Sequence, residues 1–568
     1  ELPLGLIKQN IYKPKKEILM ITYTNISQGL KKIQEKFPYK RAVVYPAGRD
    51  KKGRVLYSQL TFNQLEAESD KLAFGLERIG IIRGTRTILM VPPGMEFFII
   101  IFAMLKVGAV PVVVDPGMGI ERMLQCLEQG KPKAFIGIEK AHFLRKIKPK
   151  FFKSVKHWVT VGKRWFWGGY TLDQLMIQTC DPYPKAKTTS DETAVIAFTT
   201  GSTGPAKGVV YTHGNFEAQI KQIQEHFQID SDEIDLPTFP LFALFDPILG
   251  MTAVIPDMDP TKPARVNPVK IIEAIENHGI TNMFASPALL NRVGKFGKKN
   301  HIKLPTLRRV ISAGAPVTPA NIEQFSTMLS DHAQIHTPYG ATEAVPIISI
   351  GSNEILSETK TLSEQGYGMC IGRPICDTMV KLIKISDDPV TQLHDRLDVP
   401  ENQVGEIIVQ ADLVTRHYFN NREADLQAKI PDSHGKFWHR MGDLGWMDSK
   451  GRIWFCGRKT HRVITLDETL FTIPVEAIFN NHKTVFRSAL AGVGPKNIQT
   501  PVVFIEPYSK IKDKKIFIKE LLELAKSNPL TKNIDHIFIE KEFPVDIRHN
   551  SKIFREKLAV KAKKILKL

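Results

Sequence analysis

The sequence predicts an α/β fold: a large N-terminal α/β domain with a β-rich subdomain, and a small α+β C-terminal domain. Three observations lead there. Short apolar runs alternate with amphipathic helical stretches over residues 23–150 and again over 188–350, as in a parallel sheet covered by helices. Residues 368–455 are richer in short strands, which reads as a smaller β-rich subdomain. After Gly457-Arg458 the chain starts its own strand and helix pattern, so the domains are taken as 1–458 and 459–568. A chain of 568 residues is also too long for one ordinary domain.

The elements follow in order. Ser58-Gln59-Leu60-Thr61 precedes an amphipathic helix carrying Leu65, Leu72, Phe74 and Leu76. Thr87 to Val91 reads as a strand, Phe97 to Lys106 as a helix, and Val110 to Val114 as a strand ended by Asp115-Pro116-Gly117. Pro92-Pro93-Gly94, Lys106, Gly108 and Pro111 interrupt this apolar stretch, so it reads as strand, helix and strand rather than a membrane span. Lys140 to Arg164 is dense in positive charge, with Phe151, Phe152 and Trp158 interleaved and Trp165, Phe166 and Trp167 following. A solvated amphipathic helix with buried aromatics is the favoured reading. The rival is an interfacial patch that takes a lipid substrate from a membrane surface.

Ala194 to Phe198 reads as a short buried strand, Val209-Val210 as a second, and His213-Gly214-Asn215 opens an amphipathic stretch to about Phe227. Asn267 to His278 is a helix, Thr281 to Phe284 a strand, and Arg309 to Ser312 a strand ending in Ala313-Gly314-Ala315-Pro316. Glu406 to Val409 and Arg452 to Phe455 are strands of the β-rich subdomain, and Arg548 to Leu568 is a basic segment.

Composition narrows the function. With 43% hydrophobic and 24% charged residues, wholesale disorder is excluded. The net charge of +19, from 78 basic and 59 acidic residues, invites a nucleic-acid reading. No zinc-finger spacing, RNP-like aromatic motif or basic heptad helix accompanies it, so no nucleic-acid partner is expected. ATP, an acyl-CoA or an anionic membrane explains the charge as well. Cys126, Cys180, Cys370, Cys376 and Cys456 are scattered, with no C-x-x-C pair. That fits a reducing compartment without structural zinc, and a cytoplasmic location with membrane association left open. The first residue is Glu1, so a targeting segment removed earlier would not be visible.

The most informative stretch is Thr199-Thr200-Gly201-Ser202-Thr203-Gly204-Pro205-Ala206-Lys207-Gly208, a loop between two strands. Its three glycines can turn successive N–H groups toward one anion. Four hydroxyls and Lys207 add side-chain donors and a mobile positive charge. Ala206 before Lys207 breaks the Walker A pattern, and the dinucleotide Gly-x-Gly-x-x-Gly is absent. Phosphate binding is the expectation.

Downstream stand Ser312-Ala313-Gly314-Ala315-Pro316, Tyr339-Gly340-Ala341-Thr342-Glu343, Gly442-Asp443, Gly457-Arg458 and Lys552. With the loop, these motifs in this order closely resemble the acyl-adenylate-forming superfamily over nearly the whole chain. The resemblance implies that a carboxylic acid is activated with ATP to an acyl-AMP and pyrophosphate. It implies Thr199, Thr200, Gly201, Ser202, Thr203, Gly204 and Lys207 at the β- and γ-phosphates. Gly314, Ala315, Pro316 and Tyr339 would line the adenine site, with the tyrosine ring against the base, and Gly340 would belong to the same nucleotide-binding set. Thr342 would contact the α-phosphate, and Glu343 would hold Mg²⁺ as a hard carboxylate ligand. Asp443 would accept both ribose hydroxyls, Arg458 would contact ribose or phosphate, and Lys552 would bridge carboxylate and α-phosphate in the transition state. Lys207, Thr342 and Lys552 are the implied catalytic residues. The hinge into a mobile C-terminal domain would lie close to Lys459-Thr460.

Two departures concern the second half-reaction. Thioester-forming relatives usually have a glycine about ten residues after the Gly-Arg pair, where Ile464-Thr465-Leu466-Asp467-Glu468-Thr469 has none. Many relatives also carry a histidine after a Pro-x-Phe segment, where Pro240-Leu241-Phe242-Ala243 has alanine. ATP and Mg²⁺ are therefore the implied cofactors, and the missing glycine speaks against CoA. Leu241-Phe242-Ala243-Leu244-Phe245-Asp246-Pro247, Ile255-Pro256-Asp257-Met258-Asp259-Pro260 and Arg548-His549-Asn550-Ser551-Lys552-Ile553-Phe554-Arg555-Glu556-Lys557 resemble the β-lactone synthetases of bacterial long-chain olefin biosynthesis. That resemblance implies a long-chain 2-alkyl-3-hydroxy acid as partner, whose tethered β-hydroxyl attacks the acyl-adenylate without CoA. It also leaves room for other enzymes of a lipid pathway as partners. The rival readings are a long-chain acyl-CoA or acyl-carrier ligase and, more remotely, a non-catalytic nucleotide-binding protein. No residue in the sequence identifies a base for the hydroxyl.

Overall fold

Two seven-stranded sheets, each parallel but for one edge, form the α/β body, and a larger antiparallel sheet lies beyond them. The computed structural model describes residues 24–199, 206–239, 242–432, 435–545 and 553–567. The first sheet runs Tyr170–Thr171, His157–Val161, Ala134–Ile138, Arg86–Met90, Val110–Val114, Thr193–Thr199 and Lys207–Thr212. Only its last pair is antiparallel, with Thr199 opposite Lys207 and Phe198 opposite Gly208. The second runs Gln334–His336, Arg309–Ser312, Asn282–Ala285, Ile234–Pro237, Thr252–Val254, Arg41–Arg49 and Val55–Thr61.

Met95–Val107 is a helix buried on nearly every side, as its unbroken apolar face demands. Its Lys106 is fully buried, with Nζ 2.7 Å from Asp70 and 2.9 Å from Glu66, so the charge is matched inside the core. Among the described residues no helix is long and apolar enough to cross a membrane.

The helix His213–Phe227 ties the α/β body to the third sheet. Thr212 and Asn215 form a reciprocal cap, and Asn215 Nδ2 also donates to Asp412 O at 3.0 Å. One turn and two turns on, Gln219 and Gln222 donate to the carbonyls of Val345 and Pro346 at 2.8 and 2.6 Å. The helix thereby fixes the strand Ala344–Ser349.

The third sheet begins ahead of residue 368: it runs Tyr339–Ala341, Ala344–Ser349, Met369–Pro374, Ile453–Arg458, Phe437–Met447, Gly405–Gln410 and Met379–Ile383, with Lys429–Pro431 on Phe437–Met447. Strand pairing across the sequence, which local composition does not encode, draws the Tyr339 segment in. Beyond Arg458, the sheet of Val485–Val493, Thr500–Pro507 and His536–Ile539 packs with helices Thr472–Asn480, Lys514–Lys526 and Arg555–Leu566 around its own apolar clusters. At the expected junction, Lys459 Nζ lies 2.9 Å from Glu406, a fully buried carboxylate that Arg440 also meets at 2.7 Å.

The basic segment divides: in place of one amphipathic helix it holds the helix Glu139–Ile147, a short turn Pro149–Phe152 and the strand His157–Val161. Phe151, Phe152 and Trp167 are buried, but Trp165 and Phe166 are 61% and 72% exposed. Trp167 is the anchor: its Nε1 donates to Thr160 Oγ1 at 3.0 Å, and its carbonyl accepts from Arg145 at 2.7 Å. Locking that one ring inward leaves its two neighbours facing out; Phe143 and Ile147 are exposed as well, on the helix Glu139–Ile147.

Candidate active site

Motif residues expected to bind nucleotide converge where the first and third sheets meet. Thr199 ends one strand of the edge hairpin and Lys207 starts the other, so their backbones pair across the mouth of the phosphate loop. Loop residues Thr200, Gly201, Ser202, Thr203 and Gly204 lie outside the described residues, as does Lys552. Lys207 Nζ sits 4.9 Å from the centre of the Tyr418 ring. Tyr418 donates its hydroxyl to Glu343 Oε1 at 2.7 Å, and Thr415 N donates to Glu343 O at 2.9 Å. Tyr211 holds the same turn by donating to the carbonyl of Thr342.

Tyr339, Gly340, Thr342 and Glu343 thus share one tight turn. Gly340 is required there, because a Cβ would lie 2.4 Å from Ala344 O and 2.8 Å from Val345 Cβ. Tyr339 donates to Asp443 Oδ2 at 2.6 Å, and Arg458 Nη1 approaches Oδ1 at 3.0 Å. Asp443 and Arg458 are brought together by strand register, being direct partners on adjacent strands. Burial raises the Asp443 carboxyl above its ordinary range, with Arg458 opposing. Gly314, Ala315 and Pro316 follow the strand Arg309–Ser312 and face outward more than the buried Ala313 before them.

Sequence reasoning missed Lys429, Tyr418 and His439. Lys429 donates to the carbonyl of Thr415, and its Nζ lies 5.9 Å from the Tyr418 ring. Burial lowers it to about 7, against the pull of Glu343 and Asp425. The buried His439 beside it is held well below the usual imidazole range, by burial first and Lys429 second. None of the three stands in a recognisable motif; only the pairing of Lys429–Pro431 with Phe437–Met447 delivers Lys429 and His439 here.

The donor set suits a substrate-borne cation. Among the described residues no three His, Cys, Asp or Glu side chains converge on a metal position. A single carboxylate at Glu343 fits Mg²⁺, which is held by one or two carboxylates plus phosphates and water.

Against this site lies a small apolar cavity of about 50 Å³. Phe242, Phe245, Phe284 and Leu249 line it, and Ala313 and Pro338, neighbours of Gly314 and Tyr339, close one side. Its polar wall is Asp235, Asp246 and Asn282. The hairpin Val463–Ile464 and Thr469–Leu470, where thioester-forming relatives usually have a glycine, carries Leu466 82% exposed and Asp467 N on Thr465 Oγ1 at 3.3 Å.

Comparison with known proteins adds three findings. Residues 30–419 match the model of the AMP-binding enzyme family. An olefin beta-lactone synthetase of Stenotrophomonas maltophilia is 42% identical over 543 residues, covering 94% of this chain and 97% of that protein. Its counterpart from Xanthomonas campestris pv. campestris is 42% identical over 549 residues, with 95% and 98% covered. Among solved structures, the O-succinylbenzoate coenzyme A synthetase of Bacillus subtilis, in complex with ATP and magnesium ion, superposes with a TM-score of 0.71 at 19% identity, covering 93% of this chain and 98% of that one.

Proposed function

The chain belongs to the AMP-binding enzyme family, and from that premise we propose that it is an ATP-dependent acid ligase acting as a β-lactone synthetase. It adenylates a long-chain fatty acid-type carboxylic acid, then closes a 2-alkyl-3-hydroxy acid to a β-lactone with release of AMP. The carrying observation is 42% identity to olefin beta-lactone synthetases over nearly the full length of both chains. The apolar lining of Phe242, Phe245, Leu249 and Phe284 beside the nucleotide motifs supports it, because a long-chain acid must bring an apolar tail and a carboxylate to one place.

The first step joins anions, so the site must neutralise charge and hold an in-line geometry. In this reading Lys207 and the loop Thr199–Gly204 hold the β- and γ-phosphates, and Thr342 meets the α-phosphate. Gly314, Ala315, Pro316, Gly340 and the Tyr339 ring border the base, while Asp443 and Arg458 take the ribose. Glu343 holds Mg²⁺, which supplies countercharge to the phosphates. Lys552 brings its charge to the reacting carboxylate from a C-terminal domain beginning near Lys459, which moves between half-reactions.

The exposed apolar side chains of Phe143, Ile147, Trp165 and Phe166 support peripheral membrane contact. Residues 140–172 contain nine lysines and arginines and no acid, so the patch matches an anionic bilayer that stores an insoluble substrate. Co-sedimentation with anionic but not neutral vesicles, lost in a Trp165→Ser, Phe166→Ser variant, is the expected result.

The direct test mixes purified protein, ATP, Mg²⁺ and a long-chain 2-alkyl-3-hydroxy acid without CoA. Stoichiometric AMP and a product lighter than the acid by one water establish lactone closure. If AMP and a thioester instead arise from a simple fatty acid only once CoA is added, the protein is an acyl-CoA ligase.

A further inference from the structure

The apolar cavity holds a feature that an acyl pocket has no use for. Asp235, Asp246 and Asn282, each at most 3% exposed, meet in its wall. Asp235 and Asn282 are register partners on adjacent strands, and Asn282 Nδ2 donates to Asp235 Oδ1. Asp246 starts the short helix Asp246–Leu249 without capping it. Among the described residues neither Asp246 Oδ2 nor Asn282 Oδ1 has a hydrogen-bond donor. Carboxyl groups buried in an apolar wall cost stability, and a plain hydrocarbon chain would leave them unsatisfied. A hydroxylated chain would not.

We propose that Asp246, backed by Asp235, receives the substrate's β-hydroxyl in this cavity and takes its proton as the lactone closes. The inference rests on the lactone reading above and fills the role of base within it. The hydroxyl oxygen bonds to the acyl carbon, the acyl–phosphate C–O bond breaks, and its electron pair leaves with AMP. The hydroxyl proton passes to the Asp246 carboxyl. Asp235 makes this feasible, because the charge of one buried carboxyl raises the proton affinity of the other, so the pair holds a proton between them. As Asp246 gains one, the proton already between them moves to Asp235, and the excess leaves to solvent after product release. Burial raises both groups, Asp235 to about 7 and Asp246 well above its ordinary range, so Asp235 is the member that ionises near neutrality and can receive the proton Asp246 gives up. The further charged group acting on the pair is Glu233, itself ion-paired with Arg309.

The test separates the half-reactions in Asp246→Asn, which keeps shape and hydrogen bonding but cannot take a proton. Single-turnover mixing with ATP, Mg²⁺ and the hydroxy acid should release pyrophosphate within about threefold of wild type. Lactone formation should fall by about 10²–10⁴-fold, with acyl-AMP accumulating. Wild-type ring closure should accelerate as pH rises through neutrality, and Asp235→Asn should displace that profile. Lactone formed at the wild-type rate by Asp246→Asn overturns the proposal, as does equal loss of both half-reactions in a variant with unchanged melting and ATP binding. If Asp246→Asn does not fold, an undisplaced profile in Asp235→Asn overturns it. Failure of the wild type to make lactone is a different result: it sinks the functional reading, and this inference with it.

Discussion

Tyr339 donates its hydroxyl to Asp443 Oδ2 over 2.6 Å, joining residues 104 positions apart in sequence. The ring expected against adenine and the carboxylate expected at the ribose are therefore one hydrogen-bonded unit, completed by Arg458 at 3.0 Å. A change at one member alters the other's charge state.

Tyr339→Phe keeps the ring and removes the donor. Losing a bond to a buried charged acceptor costs about 1–3 kcal/mol. The Asp443 carboxyl, already raised by burial, should rise further. An ionised acceptor binds a diol best, so AMP affinity should weaken as pH falls through this raised value. Calorimetric titration across pH should find the break above the ordinary carboxylate range in wild type and higher still in the variant.

Burial lowers Lys429 to about 7. Its charge, which faces Glu343 and the proposed phosphate site, is present below that pH and lost above it. Affinity for ATP should therefore fall by about tenfold as pH rises past neutrality, a scale set by one charge-assisted contact. Lys429→Met should bind weakly throughout and show no such dependence.

Glu406 is fully buried between Arg440 at 2.7 Å and Lys459 at 2.9 Å. Glu406→Ala leaves two cations without their shared carboxylate, which should cost about 3–5 kcal/mol in denaturant unfolding. A Glu406→Ala, Lys459→Met double variant should recover part of the loss.

His142, His213 and His336 are each lowered to about 4 by burial. Neutral in the folded chain, they gain protons more readily when unfolded. The stability they contribute is present above the ordinary imidazole pKa and is lost as pH falls from there toward 4. The melting temperature should drop across that window, and His142→Asn should flatten the drop where it leaves the fold intact.

Much of the fold was legible in the chain itself. The edge hairpin of Thr193–Thr199 and Lys207–Thr212, the helix His213–Phe227 and the strand Arg309–Ser312 fall where apolar runs and glycines put them. Those signals are local, because strand alternation and helix periodicity repeat within a few residues. The third sheet was less legible. Tyr339–Ala341 joins it through pairing with Ala344–Ser349 and a long return to Met369–Pro374, and no single segment announces that. The outward Trp165 and Phe166 were misread for a related reason. Their composition matches that of buried Phe151 and Phe152, and only the anchoring of Trp167 decides which rings turn away.

By itself the sequence determined the α/β class, the order of the adenylating motifs and the resemblance to β-lactone synthetases, since all three reside in residue identity and spacing. Only the tertiary structure decided which charges meet. Lys429 reaches the Glu343 turn through strand pairing, and Asp235 and Asp246 become a buried pair only when a strand and a short helix close on one cavity. A carboxyl or an amine owes its working charge to burial and neighbours, and both arise from contacts between distant segments.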